Sequence, residues 1–176
     1  ALIGFGQEQE KSLTGLDPES LETVRFYCEK IRQDYKKEKL EGLVFFSHRP
    51  GVFLAGVDVN IIASLDTEDK AREGAASGQD IFNIIEDLPL KTMVCIDGIC
   101  LGGGLELSLA CDYIVASSSE KTKLGLPEVK LGVLPGFGGS WRLPHRVGFI
   151  KALDMILSGK QVPAKKAYKI GLVDRL

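Results

Sequence analysis

Apolar positions recur along the chain in two periods, alternate and roughly every three to four residues, and the switches between them mark out the elements. Residues 1–6, ALIGFG, read as a first strand, with a turn or loop from Gln7 to Leu16. Asp17-Pro18 sets an N-cap acceptor before a proline at the first helical position, which opens a helix. Leu21, Val24, Phe26, Cys28 and Ile31 supply its inward face, and it runs to about Lys37. Gly42 to Ser47 is a short strand of β-branched and aromatic residues. A strand, a helix and a second strand in that order imply a parallel pair. His48-Arg-Pro-Gly51 breaks the strand, and Val52 to Asn60 follows, with Asp58 placed to cap a helix starting near Val59. Residues 66–78 are polar and small, a mobile loop or the approach to a helix. A helix from about Gln79 to Asp87 buries Ile81, Phe82, Ile84 and Ile85 before Pro89 ends it.

Lys91 to Ile96 is the next buried strand, and it feeds the stretch DGICLGGGLELSLACD, Asp97 to Asp112. Leu105, Leu107, Leu109, Ala110 and Cys111 in that stretch fit a buried helix. Tyr113 to Ser117 reads as a strand, Ser118 to Thr122 as a turn and Lys123 to Gly132 as irregular. The glycine cluster Pro135 to Gly139 precedes a helical start at Ser140. An apolar helix covers 149–158, and a last one begins at Ala164 and ends by Gly171, before a strand-like Leu172-Val173. No internal repeat or low-complexity tract is present.

Composition narrows the classes. A chain of 176 residues supports one domain, and 22 basic against 24 acidic side chains leave no basic stripe for a nucleic-acid backbone. No apolar run is long enough to span a membrane, and no signal-peptide pattern opens the chain, so it reads as a cytosolic-type globular protein. The four cysteines lack Cys-x-x-Cys spacing and read as reduced core residues. Two histidines, His48 and His145, lie far apart, so neither zinc nor a histidine-based triad is indicated. A start without Met and a stop after GLVDRL read as a fragment of a longer chain.

Candidate chemistry centres on Gly102 to Gly104. A glycine turn opening a helix presents bare backbone N–H groups, which favour negative charge. Glu106 follows inside the first turn of that helix. By themselves these residues fit two readings: a catalytic carboxylate beside an anion-favouring backbone, or a tight packing turn with an ordinary first-turn acid. Gly56-Val57-Asp58 likewise fits either a second set of exposed amides or a capped helix start. The phosphate-binding patterns G-x-G-x-x-G and G-x-x-x-x-G-K-[ST] are absent, as is the G-x-S-x-G elbow of serine hydrolases.

The ordered runs PGVFLAGVDV, GICLGGGLELSLACDYIVAS, LGLPEVKLGVLPGFGGSWRLP and LSGKQVPAKKAYKIGLVDRL resemble the enoyl-CoA hydratase/isomerase family, the crotonases. The wording is most like the N-terminal hydratase region of multifunctional fatty-acid oxidation complex alpha subunits. The resemblance implies an α/β crotonase (ClpP-like) fold of repeated β-β-α units, its sheet in two roughly perpendicular layers, with residues 1–176 as the core domain. It implies trimers, often paired into hexamers, or a multifunctional complex, and a bacterial cytoplasmic or mitochondrial matrix location. The usual C-terminal trimerisation helices, which follow a GLVD motif, are lacking here.

The resemblance further implies an acyl-CoA thioester substrate and no cofactor beyond the CoA it carries. It assigns the backbone N–H groups of Val57 and Gly103 to an oxyanion hole, and Glu106 and Glu128 to acid–base catalysis. Ala55, Gly56, Asp58, Val59 and Gly102 fall at substrate-binding positions, while Pro135, Gly136 and Phe137 shape the acyl channel. His48 and Arg49 are candidate cations for the CoA phosphates, Arg142 is a structural residue pairing locally, and Asn60 stands where many hydratases carry lysine. Both acids being present favours hydration of 2-enoyl-CoA, with Δ3–Δ2 isomerisation open in the same site. The rival is a crotonase-like domain that binds acyl-CoA, or acts as a scaffold, without turnover.

Overall fold

The computed structural model describes residues 1–6 and 15–176, so the loop expected from Gln7 lies largely outside the described residues. Strand β1 (Leu2–Phe5) leads to α1 (Pro18–Asp34), whose N-cap Asp17 accepts from the Ser20 amide at 2.7 Å. Leu21, Val24, Cys28 and Ile31 form the buried stripe of α1. Phe26, expected on that stripe, is 60% exposed. It stands two residues from both Val24 and Cys28, about 200° around the helix from each, so the core spacing excludes it.

The chain then winds in β-β-α units. Strands β2 (Gly42–Ser47) and β3 (Val52–Leu54) precede α2 (Val59–Ala63) and α3 (Glu68–Glu86). Strands β4 (Lys91–Ile96) and β5 (Ile99–Leu101) precede α4 (Gly103–Leu109). Strands β6 (Tyr113–Ala116) and β7 (Lys123–Gly125) precede a 3-10 turn (Glu128–Leu131), α5 (Gly139–Val147) and α6 (Phe149–Ser158), with β8 (Val162–Pro163) and α7 (Ala164–Lys169) closing the order. The first strand of each unit joins one sheet, β1-β2-β4-β6, all parallel. The second joins another, β3-β5-β7-β8, parallel except for β8.

Successive units stack corner on corner. Ile99 N donates to Gly51 O at 3.0 Å, Gly98 N to Thr122 Oγ1 at 2.9 Å, and Lys123 N to Gly98 O at 3.1 Å. Gly98 has φ +82°, and a Cβ there would overlap the Gly51 carbonyl, so only glycine permits this stacking. Phe45 from one sheet and Phe53 from the other both pack on Phe5, with ring centroids at 6.3 and 5.9 Å. One core therefore serves both layers.

Several boundaries differ from the sequence reading. Helix α3 starts at Glu68, not near Gln79, because the polar stretch is held by a Thr67 cap and by Asp66–Lys70 and Glu68–Arg72 pairs at 2.8 and 2.7 Å. Strand β5 is the apolar run before Gly102, to which the sequence reading assigns no strand, and β7 and the 3-10 turn lie inside the stretch read as irregular. Both strands are three residues long and exist through pairing with neighbours. Leu172 and Val173 are buried but form no strand; an isolated bridge joins Arg175 to Val115. Asp174 secures this end, pairing with Arg146 and accepting from Ile114 N at 2.7 Å. Cys28, Cys100 and Cys111 are buried free thiols, while Cys95 is half-buried. No helix among the described residues is long and apolar enough to cross a membrane.

Candidate active site

The glycine turn at the head of α4 is shaped by close packing. Gly102 has φ +54° and ψ −129°, a conformation open only to glycine, and its amide donates to Gly125 O at 3.0 Å. A Cβ at Gly104 would stand 2.6 Å from Leu54 Cβ, so the helix sits directly on β3. The first helical bonds run from Leu105 N and Glu106 N to Gly102 O, at 2.8 and 3.0 Å. The amide of Gly103 precedes them and has no partner within the helix.

Against this turn lies the loop Ala55 to Asp58. Gly56 has φ +100°, and a Cβ on it would reach within 3.9 Å of Gly103 N. A Cβ on Gly103 would meet Val57 Cγ2 at 3.6 Å and Phe137 Cδ2 at 3.5 Å. Two loops 46 residues apart in sequence thus converge at residues 57 and 103. Leu16 N braces the first of them, donating to Gly56 O at 2.8 Å. Asp58 caps α2 through the Asn60 amide at 2.8 Å, and Asp58, Val59 and Asn60 are exposed at the rim.

Glu106 is only 2% exposed, and its Oε1 accepts from Phe137 N and Gly139 N, both at 2.8 Å. Burial pushes its pKa up to about 7. The Gly139 amide opposes that rise, the Glu128 charge adds to it, and the Phe137 amide and Arg142 oppose it. Glu128, on the 3-10 turn, is also raised, chiefly by burial. Its Oε1 lies 3.4 Å from where a Gly102 Cβ would stand, and its Oε2 is buried with no hydrogen-bond partner among the described residues. A buried carboxylate oxygen left unpaired costs stability. Here it is an acceptor held open beside the glycine turn.

The loop over Glu106 belongs to the second glycine cluster. Pro135 is buried and Gly136 O accepts from Gln79 Nε2 of α3 at 2.7 Å. The Phe137 ring meets Phe82 edge-on, centroids 5.6 Å apart, and lies over Gly78, where any Cβ would overlap it. Arg142, expected to pair locally, bonds the Phe137 carbonyl at 3.1 Å and also reaches back to α3: its guanidinium bonds Glu86 Oε2 at 2.8 and 3.0 Å and Asn83 Oδ1 at 2.6 Å. Sequence reasoning misses Gln79, Asn83 and Glu86; a glycine inside an amphipathic helix is the signal of a close neighbour there, and of Gly74 and Gly78 only Gly78 has one. His48 lies on the corner after β2, its ring 4.8 Å from that of Phe46, and Arg49 N bonds Ser47 Oγ at 3.1 Å.

The profile of the family described as enoyl-CoA hydratase/isomerase matches residues 16–176. The chain belongs to the enoyl-CoA hydratase/isomerase family, and its architecture is the crotonase fold. Among curated proteins it is similar to the fatty acid oxidation complex subunit alpha of Aliivibrio fischeri, 54% identical over 135 residues. It is also similar to the protein of that name from Vibrio cholerae, 50% identical over 139 residues. These matches take in 77% and 79% of this chain and 20% of each relative's length. The solved DspI of Pseudomonas aeruginosa superposes with a TM-score of 0.87 at 33% identity, over 99% of this chain and 68% of that one. An enoyl-CoA hydratase from Bacillus anthracis gives 0.87 at 30% identity, over 99% and 64%.

Proposed function

We propose that this domain hydrates 2-trans-enoyl-CoA thioesters to 3-hydroxyacyl-CoA in fatty-acid β-oxidation. The observation that carries the reading is the placement of two carboxyl groups with raised pKa, Glu106 and Glu128, around a glycine turn whose Gly103 amide has no helical partner. The thioester oxygen docks on the N–H groups of Val57 and Gly103, which stabilise developing negative charge by roughly 3–4 kcal/mol each. Ala55, Gly56, Asp58, Val59 and Gly102 surround that end of the substrate; Pro135, Gly136 and Phe137 bound the acyl side.

Ionised Glu106 takes a proton from water as its oxygen bonds the β-carbon, and electrons move through the former double bond to the thioester oxygen. Protonated Glu128 then supplies the α-proton as the carbonyl re-forms. Dehydration reverses these roles. Burial raises the pKa of both acids, and their titration belongs to the pair. No cofactor is needed beyond the CoA of the substrate. Δ3–Δ2 isomerisation uses the same oxygen site and one acid. Residues 1–176 form the core domain of a longer multifunctional β-oxidation protein that assembles through trimers.

Glu106→Gln and Glu128→Gln each lower crotonyl-CoA hydration by ~10²–10⁴-fold, the span for loss of an acid–base group. Near-wild-type turnover in both variants overturns the reading. Saturable acyl-CoA binding without product would instead mark a non-catalytic domain, and comparing 3-enoyl-CoA with 2-enoyl-CoA separates isomerase from hydratase.

A further inference from the structure

The guanidinium of Arg142 is buried and each of its three nitrogens donates. Nε and Nη2 hold Glu86, Nη2 also holds Asn83, and Nη1 donates to the carbonyl of Phe137 at 3.1 Å. That carbonyl belongs to the peptide unit between Phe137 and Gly138. The units on either side of it supply the Phe137 and Gly139 amides, both bound to Glu106 Oε1. Gly138 has φ +104°, and a Cβ there would overlap Arg142 Nη1, so glycine is what lets the guanidinium reach the loop. The loop is thus gripped on its carbonyl side by an arginine anchored on α3, and its amide side grips the carboxylate.

We propose that Arg142 is a positioning residue for Glu106, acting through the Phe137–Gly138 peptide to aim the two amides that orient the carboxylate. This rests on the role given to Glu106 above. An arginine that merely stapled α5 to α3 would need only Glu86 and Asn83; the bond to the Phe137 carbonyl ties it to the acid. Among the described residues, the charged groups facing Glu106 are Glu128 from the 3-10 turn and Arg142 from α5, with Glu86 behind the guanidinium. Removing the cation and loosening the two amides both favour the protonated carboxyl, so the acid limb of hydration must move to higher pH.

The test uses the full-length chain and crotonyl-CoA. Arg142→Met lowers kcat about 10-fold to 100-fold, as expected for an outer contact to a functional group, and leaves KM within about threefold. Its acid limb lies at higher pH than wild type. Arg142→Lys, which keeps the charge but has one nitrogen for three partners, falls between. If Arg142→Met does not fold, the cycle of Arg142→Lys, Glu106→Gln and the double variant decides: lysine adds no further loss once Glu106 is glutamine. The proposal is overturned if the Arg142 variants lose only thermal stability with kcat and the acid limb unchanged, or if the double variant shows fully additive losses. Wild-type hydration by Glu106→Gln alone would instead overturn the role of Glu106 itself.

Discussion

A carboxylate closed into a protein interior must find donors or keep its proton, and Glu106 does some of each. Its two amide donors lower the energy of the ionised form, yet burial outweighs them and carries the group from 4.5 to about 7. Between those values the folded chain holds a proton that the unfolded chain has released. Stability from this group is therefore greatest below pH 4.5 and is lost as pH rises toward 7, by about 3 kcal/mol at 1.36 kcal/mol per unit. Glu128, also raised, acts in the same direction. Asp112 runs the other way. Burial alone would raise it, but Lys91 Nζ at 2.6 Å and Thr92 N at 2.8 Å hold it below the usual carboxylate value, so its contribution is lost as pH falls. Urea titrations from pH 5 to 8 should show stability declining with pH in the wild type and a flatter line in Glu106→Gln. The variant is the more stable at pH 8 by on the order of 2 kcal/mol, since its amide oxygen still accepts both N–H groups. Parallel lines for the two proteins would mean that Glu106 is not raised.

Helix α3 shows how one element can carry two opposite responses to the same change. Gly74 and Gly78 are one turn apart, and alanine is favoured over glycine inside a helix by roughly 0.5–1 kcal/mol. A Cβ at Gly74 would lie an ordinary 3.8 Å from Leu65 Cδ2, so Gly74→Ala gains about that amount. At Gly78 the methyl overlaps the Phe137 ring, which is wedged against Phe82 and close to Gly103. Overpacking of this kind costs about 1–3 kcal/mol, so Gly78→Ala is a net loss and also lowers hydration by shifting the loop over Glu106. Denaturant midpoints and kcat for the two variants check both signs; equal gains would show that Phe137 does not rest on α3. The same helix marks where sequence stops being informative. The Asp17-Pro18 cap, the strands at 42–47 and 91–96 and the 149–158 helix declare themselves through local spacing, and the structure has them. The first half of α3 has no apolar stripe to declare. Its order comes from a cap and charge pairs, and the glycine that follows, Gly78, has its reason in a ring 59 residues later in the chain. At the site, Val57, Gly103, Glu106 and Glu128 stood out as motif positions, and the fold brings their loops together. Gln79, Asn83 and Glu86 do not stand out, because nothing local separates a polar residue that meets the 135–139 loop or Arg142 from one that meets water.

Across the whole molecule, the corner-stacked units leave the far side of α6 apolar. Ala152 and Met155 face the core, but Phe149, Ile150, Leu153 and Leu157 face outward, Ile150 at 76% exposure, with Trp141 of α5 and Leu134 also exposed. A helix apolar on both sides is ordinarily a covered one. The solved relatives extend beyond the part that this chain matches, 68% of DspI and 64% of the Bacillus anthracis hydratase. In the 176-residue chain the two faces of α6 should therefore respond differently to charge. Ile150→Lys with Leu157→Lys removes exposed apolar surface only. Each change is worth within about 0.5 kcal/mol, so the thermal midpoint moves by no more than about 4 °C while dye binding to apolar surface and aggregation both fall. Met155→Lys puts an unpaired charge among core side chains and costs several kcal/mol, enough to unfold a domain of marginal stability. Thermal melts and light scattering of the two variants test the asymmetry. A double lysine variant that melts as early as Met155→Lys would mean that the outer face is packed within the chain itself, and that α6 is a core helix rather than the boundary of this fold.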